Sequence, residues 1–218
     1  MEAHTAHEAP VAPPRMGGRL LLARRTDERL VEMVRQGDAA AFEVLYDRYH
    51  LRILSFCRHM LGSQPDGEDA TQHAFVALHR HVTADDRPVD VKPWLFQVAR
   101  NCCVDELRRR RRYAIHFSQL EAESNDGEVS VLYDMPDPGP LPEDLMERRD
   151  LQQYIQKAIQ SLPPKFRSVV LLRYMAQLSF AEIGRTLKMP EATAKTYFHR
   201  AKVLLRKVIS SDMQTISA

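Results

Sequence analysis

The stretch from residue 178 to residue 209 constrains the fold most, because it holds two helical patterns joined by a very short corner. Ser179 followed by Glu182 is the signature of a capping box and predicts the start of a first, short helix. Pro190 cannot continue that helix but suits the first turn of the next one. In the second pattern the apolar residues recur at steps of three and four, which predicts one buried stripe. The members of this stripe are Ala194, Phe198, Ala201, Leu205 and Val208. The stretch therefore predicts a helix-turn-helix.

The opposite face of the predicted second helix carries cations and hydrogen-bond donors, with almost no acid to neutralise them. Its members are Lys195, Thr196, His199, Arg200, Lys202 and Arg206. A helix with such a face suits the major groove of DNA, where side chains reach base edges and phosphates. An amphipathic surface hairpin with a solvated basic face is the alternative, because the pattern alone does not name a ligand.

Two segments of this stretch, residues 178–183 and 193–202, resemble region 4 of bacterial sigma factors, in particular those of the extracytoplasmic-function (ECF) group. The resemblance implies that the minus-35 promoter element is bound by Lys195, Thr196, His199, Arg200 and Lys202. The chain departs from the family at Lys188, where a turn glycine is frequent, and at Tyr197, where an arginine is frequent. A left-handed conformation at Lys188 would cost about 1 kcal/mol.

Composition restricts the fold class to helices. The chain has 218 residues with only 8 glycines, and alternating strand patterns are absent. A chain of this length can bury two modest cores. We therefore expect an all-α protein with two small helical domains, the C-terminal one a helix-turn-helix. The formal net charge is only +2, but it is unevenly placed, with basic clusters and an acidic middle.

The cysteines and the N-terminus indicate the compartment. Three cysteines, an odd number, and the absence of an apolar signal-peptide core predict a protein of the reducing cytoplasm. No apolar run approaches membrane-spanning length. Cys57, Cys102 and Cys103 fit no zinc-binding spacing, and cysteines on helices are usually small core residues. We therefore expect no metal and no cofactor.

Helical spacing begins near Thr26 and continues through three predicted helices. Gly37 predicts the end of the first helix, and Asp38 predicts the N-cap of the second. Gly62 closes the second helix, and Asp66 is predicted to cap the third. The buried side of the second helix is predicted from its apolar spacing to comprise Phe42, Leu45, Tyr46, Tyr49, Ile53, Leu54 and Phe56.

Acidic residues gather near the first turns of the predicted third helix, where they suit the helix dipole. That dipole effect alone would explain their presence. Residues 66–75 also resemble sigma region 2.2, the surface that docks on the clamp helices of RNA polymerase. The resemblance implies that core polymerase is bound by Asp66, Glu68, Asp69, Gln72 and Phe75. The chain departs from the family at His73, Ala74 and His79.

The predicted fourth helix starts near Pro93 and ends in the arginine run 108–112. A solvated, fraying helix end is one interpretation of that run. Residues 93–95, 99–101 and 105–109 resemble sigma regions 2.3 and 2.4, which open and read the minus-10 promoter element. The resemblance implies this role for Asn101, Asp105, Arg108 and Arg109. Trp94, the only tryptophan, is expected in the core rather than as a stacking platform.

Proline and acidic residues dominate the segment 113–147, which predicts an acidic linker. The expected organisation is a disordered tail at 1–25, a region 2 domain at 26–112, that linker, a region 4 domain at 148–210 and a short tail at 211–218.

The resemblance spans both domains in the family's order and implies a sigma factor, with core RNA polymerase and promoter DNA as partners. It also implies a probable anti-sigma factor, because this group is commonly held inactive by one. The two promoter elements would lie about two duplex turns, roughly 70 Å, apart. A stand-alone helix-turn-helix regulator that does not join polymerase is the alternative. An enzyme acting on nucleic acid is not supported, since no catalytic residue set or metal spacing is present in the sequence.

Overall fold

The computed structural model describes the backbone of residues 21–121 and 143–216, and the side chains of residues 21–114 and 152–210. Within these ranges every regular element is an α-helix, which confirms the all-α prediction. The helices are α1 (Asp27–Arg35), α2 (Ala39–Leu61), α3 (Gln64–Ala84), α4 (Val91–Glu121), α5 (Glu143–Ser161), α6 (Pro164–Tyr174), α7 (Phe180–Leu187) and α8 (Glu191–Ile216). None of these helices combines the length and the apolar character needed to cross a membrane.

The first helix boundaries follow the predicted caps. The side chain of Thr26 accepts a hydrogen bond from the Arg29 backbone N–H at 3.4 Å, which caps α1. Gly37 follows with a φ of +88°. Asp38 then caps α2, because its carboxylate accepts from the Ala40 N–H at 2.9 Å. Gly62 ends α2 in the left-handed conformation.

The third helix begins earlier than predicted. Ser63, not Asp66, is its N-cap, and the Ser63 hydroxyl accepts from the Asp66 backbone N–H at 3.5 Å. Pro65 explains the shift, because proline lacks an N–H and is tolerated only in the first turn of a helix. Asp66 therefore lies in the first turn, where its charge still suits the helix dipole.

The helical backbone also enters the predicted linker from both sides. Helix α4 begins at Val91, just before Pro93, and continues to Glu121, and α5 begins at Glu143. The middle of the predicted linker lies outside the described residues, as does most of the predicted N-terminal tail. In the predicted C-terminal tail, the backbone is helical to Ile216.

The N-terminal helices enclose one apolar core, in which Phe56 and Phe96 meet edge to face with ring centroids 5.4 Å apart. Cys57 and Cys103 are buried in it and Cys102 is half-buried, as expected of small core residues. The prediction for Tyr46 was wrong, since its side chain is 38 % exposed. It lies at the rim of the buried face of α2 and packs on Phe75 instead.

Helix α6 is buried on all sides. Seven successive residues from position 166 to position 172 are buried, which requires neighbours around the whole helix. Phe166 and Val170 form a C-terminal cluster with Leu162 and Ala201 of the neighbouring elements. Other residues of α6, among them Val169, belong to the core that the N-terminal helices form. Helix α6 therefore lies between the two halves of the chain.

Candidate nucleic-acid interface

The helix-turn-helix is held by the predicted capping box. The Ser179 hydroxyl accepts from the Glu182 N–H at 3.2 Å, and the Glu182 carboxylate accepts from the Ser179 N–H at 2.7 Å. The hydrogen bonds from Ser179 hold the pKa of Glu182 below its usual range. These bonds satisfy backbone donors at the start of α7 that have no partner within the helix. The capping-box prediction is confirmed.

The corner between α7 and α8 is tight. Lys188 ends α7 with φ +53° and ψ +48°, so this non-glycine residue takes the left-handed conformation. The Met189 N–H donates to the Gly184 carbonyl at 2.8 Å. A Cβ at Gly184 would lie 2.8 Å from the Met189 carbonyl oxygen. The close approach within the corner therefore depends on Gly184, which the sequence analysis did not single out.

Helix α8 buries its predicted stripe in part, since Leu205 and Val208 are half-buried. Ala194 and Ala201 are fully buried, and Phe198 is half-buried against Phe180, with ring centroids 5.3 Å apart. Tyr197 is also half-buried and meets Phe166 edge to face at 5.3 Å. The tyrosine at this departure from the family pattern thus packs within the C-terminal region.

The cations on the other side of α8 are exposed. All five side chains predicted to bind the minus-35 element are exposed: Lys195, Thr196, His199, Arg200 and Lys202. The Lys195 ammonium pairs with Glu191 at 2.7 Å, and Lys202 lies over the ring of Phe198, 5.9 Å from its centroid. The Thr196 hydroxyl donates to the Ala192 carbonyl at 2.9 Å, which leaves its oxygen lone pairs available to a ligand.

A second polar face lies on α4. Asn101, Asp105, Arg108 and Arg109 are all exposed there. Arg108 pairs with Asp105 at 3.4 Å, and Arg109 pairs with Glu106 at 2.7 Å. The Arg108–Asp105 pair is exposed to water on both sides and holds its side chains only weakly, whereas Glu106 is 19 % exposed and also accepts from Arg110. Arg108 can therefore readily exchange its partner for a phosphate.

One arginine of the run does not join this face. Arg110 donates from Nε to Glu106 at 2.9 Å and from Nη1 to the Leu61 carbonyl at 3.2 Å. Its Nη2 donates to the carboxylate of Asp66. Arg110 therefore connects α4 to the end of α2 and to the start of α3.

Trp94 lies near the start of α4 and is half-buried. Its ring stacks on His81 with centroids 4.9 Å apart and an angle of 11° between the planes. It packs against the N-terminal core, as expected.

The residues assigned to polymerase binding separate into two groups. Glu68, Asp69 and Gln72 are exposed on α3. Asp66 is half-buried and its carboxylate forms an ion pair with Arg110, and Phe75 is only 3 % exposed. The structure thus presents three of the five side chains on the surface.

A groove between α2 and α3 adjoins these side chains and has a volume of about 560 Å³. Its aromatic floor places Tyr46 against His50, with ring centroids 4.6 Å apart, and Phe42 against His79 at 5.0 Å. Gln72 and Phe75 also line it. The groove could not be predicted from the sequence, because the apolar spacing assigns Tyr46 to the buried side of α2.

Comparison with known families gives two matches, which follow one another along the chain. Residues 45–113 match Sigma-70 region 2, and residues 152–205 match Sigma-70, region 4. The ECF RNA polymerase sigma factor SigW of Bacillus subtilis is 32 % identical to the chain over 180 residues. The aligned part covers 83 % of this chain and 95 % of SigW.

Two solved structures have a similar fold. CnrH, solved in complex with the cytosolic domain of CnrY, has a TM-score of 0.60 at 20 % identity. The likeness covers 85 % of this chain and 98 % of the CnrH chain. The sigma factor RpoE of Bartonella quintana, solved in complex with the anti-sigma factor NepR, has a TM-score of 0.54 at 18 % identity. That likeness covers 77 % of this chain and 98 % of RpoE.

Proposed function

The chain belongs to the extracytoplasmic-function group of RNA polymerase sigma factors, and on this basis we propose how it directs core polymerase to selected promoters. It binds the enzyme through its region 2 domain, at 26–112, and holds two promoter elements through separate faces of α4 and α8. The observation that carries the proposal is that each matched region presents an exposed polar face of the composition that nucleic-acid binding requires. In this proposal the chain acts by binding polymerase and DNA.

The α8 face binds the minus-35 element. Lys195 and Arg200 are exposed on the helix that follows the corner, which is the helix that enters the major groove in helix-turn-helix proteins. An arginine can bind a guanine edge through two hydrogen bonds, whereas a lysine binds phosphate or base as a point charge. Thr196, His199 and Lys202 flank them on the same exposed face.

The α4 face binds the minus-10 element. Opening of the duplex exposes base edges, and the Asn101 amide can donate to and accept from such an edge. The Asn101 carbonyl oxygen now accepts from Arg100 Nη1 at 3.2 Å, so a base would replace an exposed contact of low cost. Arg108 and Arg109 neutralise phosphates beside it, and Asp105 lies on the same exposed face.

The exposed side chains of α3 and the groove beside them dock on polymerase. Glu68, Asp69 and Gln72 supply the polar rim, and the aromatic groove can accept an apolar side chain of the partner. Asp66 contributes indirectly, because Arg110 occupies its carboxylate. An anti-sigma factor that competes for this surface is part of the proposal, as implied by membership in this group.

Binding of core polymerase tests the proposal against the stand-alone regulator. We expect the full chain to bind core enzyme and to support run-off transcription from a cognate promoter, while a regulator of the alternative class would bind DNA but not core. Absence of core binding would reject the sigma-factor mechanism.

The assignment of α8 is tested separately. Lys195→Ala and Arg200→Ala should weaken binding to minus-35 DNA, and loss of a bidentate base contact would cost about 1 to 3 kcal/mol for the preferred sequence alone. Loss of a phosphate contact would weaken all sequences equally. Lys157→Ala, at an exposed lysine of α5 outside the corner, is the matched control. Unchanged affinity for every sequence would remove both residues from the interface.

A further inference from the structure

A cation of α6 lies against the helix that carries the basic face. Lys165, in the first turn of α6, is exposed. Its ammonium lies 5.7 Å from the ring centroid of Tyr197 on α8 and 5.0 Å from that of Phe166. A cation within about 6 Å of an aromatic ring centroid is attracted by the ring. The two rings meet edge to face, with Phe166 buried and Tyr197 half-buried, so packing fixes the surface on which the ammonium rests.

Position 197 lies at the edge of the basic face of α8, the exposed surface that carries Lys195 and Arg200. Residues three or four apart are neighbours on a helix. Arg200, three residues further on, is exposed, and Ala201, four residues further on, is fully buried. The Tyr197 ring therefore lies between the basic face and the core, and it brings the Lys165 ammonium to the Arg200 side of that face.

The charge of Lys165 does not stabilise its own helix. Helix α6 has no acid in its first turn, and its N-cap, Pro163, makes no side-chain hydrogen bond. The helix dipole disfavours a cation at this end and favours an anion. Helix stability therefore does not account for the lysine, whereas an approaching phosphate would be attracted by both the lysine and the helix end.

The ammonium of Lys165 also differs from that of Lys195 in its partners. Lys195 pairs with Glu191 at 2.7 Å. Among the residues whose side chains the structure describes, no carboxylate pairs with Lys165. An aromatic ring orients a cation without neutralising it, so the charge and the ammonium donors stay available to a ligand.

We propose that Lys165 binds a DNA phosphate beside the minus-35 element and that Tyr197 positions its ammonium. The proposal rests on the proposed function of α8 and adds to that interface a residue from outside the helix-turn-helix. A lysine binds phosphate as a point charge, so the contact strengthens binding to all sequences and does not select a base. Tyr197, one of the departures from the family pattern, has no charge of its own, and α6 supplies one at its place.

The salt dependence of binding to a minus-35 duplex, measured by fluorescence anisotropy with the full chain, tests the contact. Lys165→Met removes the charge and keeps an unbranched side chain. One phosphate contact changes the slope of log affinity against log salt by about 0.9, so a fourfold rise in salt should weaken the wild type about 3.5-fold more than Lys165→Met. Lys165→Arg, which keeps the charge, and Lys157→Met, the matched control on α5, should keep the wild-type slope. An unchanged slope in Lys165→Met, or a loss confined to one DNA sequence, would overturn the phosphate contact.

The positioning role of Tyr197 is tested by comparing two substitutions. Tyr197→Phe keeps the ring face and should retain the wild-type affinity, whereas Tyr197→Leu removes the face and should lose part of what Lys165→Met loses. In the Lys165→Met background, Tyr197→Leu should have no further effect, because the ring acts through the ammonium. Equal affinities of the Phe and Leu variants, or a Leu effect that persists without the lysine, would overturn the positioning role.

Moving the charge onto α8 is the converse test. The double variant Lys165→Met, Tyr197→Arg carries the cation on α8 itself, so we expect it to recover the wild-type slope while helical circular dichroism is retained. A slope as shallow as that of Lys165→Met alone would overturn the exchange of charge between the two positions.

Arg200→Ala separates failure of this contact from failure of the proposed function. Weaker binding by Arg200→Ala together with unchanged binding by Lys165→Met would refute the Lys165 contact alone. Unchanged binding by both variants, or absence of binding by the wild-type chain, would refute the assignment of α8 to the minus-35 element and the contact with it.

Discussion

The pairing of Asp66 with Arg110 predicts that Asp66 stabilises the fold rather than contacting polymerase directly. Asp66→Ala should remove one contact of a guanidinium that also binds Glu106 and the Leu61 carbonyl. Arg110→Ala should remove all of them. The two substitutions should therefore differ in cost, and their effects should not add, because they share one ion pair.

The exposure of the Asp66–Arg110 pair sets the expected coupling free energy. The side chains of Arg110 and Asp66 are 23 % and 33 % exposed, between an exposed pair and a buried one. Exposed pairs contribute about 0 to 1 kcal/mol, and loss of one partner of a buried pair costs about 3 to 5 kcal/mol. We expect a coupling free energy of about 1 kcal/mol, with about 1 kcal/mol lost in Asp66→Ala and about 2 kcal/mol in Arg110→Ala.

Urea unfolding of wild type, both single variants and the double variant measures this coupling, and titration with core polymerase measures function. Asp69→Ala is the matched control, because Asp69 is an exposed acid on the same helix. It should change the free energy of unfolding by less than about 0.5 kcal/mol while weakening polymerase binding. Additivity of the Asp66 and Arg110 substitutions within about 0.3 kcal/mol would refute the structural role.

Three further predictions concern the DNA faces and the corner. Asn101→Ala and Asp105→Ala should change the free energy of unfolding by less than about 0.5 kcal/mol, yet they should impair promoter opening in permanganate footprints. If the variants instead unfold while their folded fraction keeps normal activity, the two residues are structural. Lys188→Gly should stabilise the protein by about 1 kcal/mol in urea, whereas Gly184→Ala should cost about 1 to 3 kcal/mol, and the reverse order would contradict the corner geometry. Because its pKa is lowered on folding, Glu182 stabilises fully above its ordinary pKa of 4.5 and loses this contribution as pH falls through the folded value. Thermal melts of Glu182→Gln should lack this acid dependence, and an unchanged pH profile would count against it.

Features that depend on neighbouring residues could be predicted from the sequence. The capping box at Ser179 and Glu182, the N-cap at Asp38 and the helix end at Gly62 all involve contacts within one turn, and the structure has each of them. The predicted N-cap at Asp66 was wrong, because Ser63, another residue type that caps helices, is the N-cap of α3. The preference of proline for the first turn of a helix favours Ser63, which places Pro65 in that turn.

Contacts between distant residues could not be predicted in this way. Arg110 is 44 positions from Asp66, and Arg167 is 107 positions from Met60. Helical periodicity assigns a residue to a face of its own helix but does not say which other element covers that face. Five successive arginines therefore looked equivalent in the sequence, whereas the fold exposes Arg108 and Arg109 and turns Arg110 inward.

The corner of the helix-turn-helix requires a left-handed residue and a close approach of the chain to α7. One turn glycine would usually meet both requirements, but here they fall on different residues. The left-handed conformation is taken by Lys188, which pays a modest conformational cost that packing of α7 and α8 can offset. The close approach of the chain to α7 is met at Gly184, where the Met189 carbonyl leaves no space for a Cβ. A backbone atom cannot give way as a flexible side chain can, so the second requirement is the stricter one. The close approach within the corner is therefore set by Gly184, and a lysine is tolerated at position 188 because the two requirements fall on different residues.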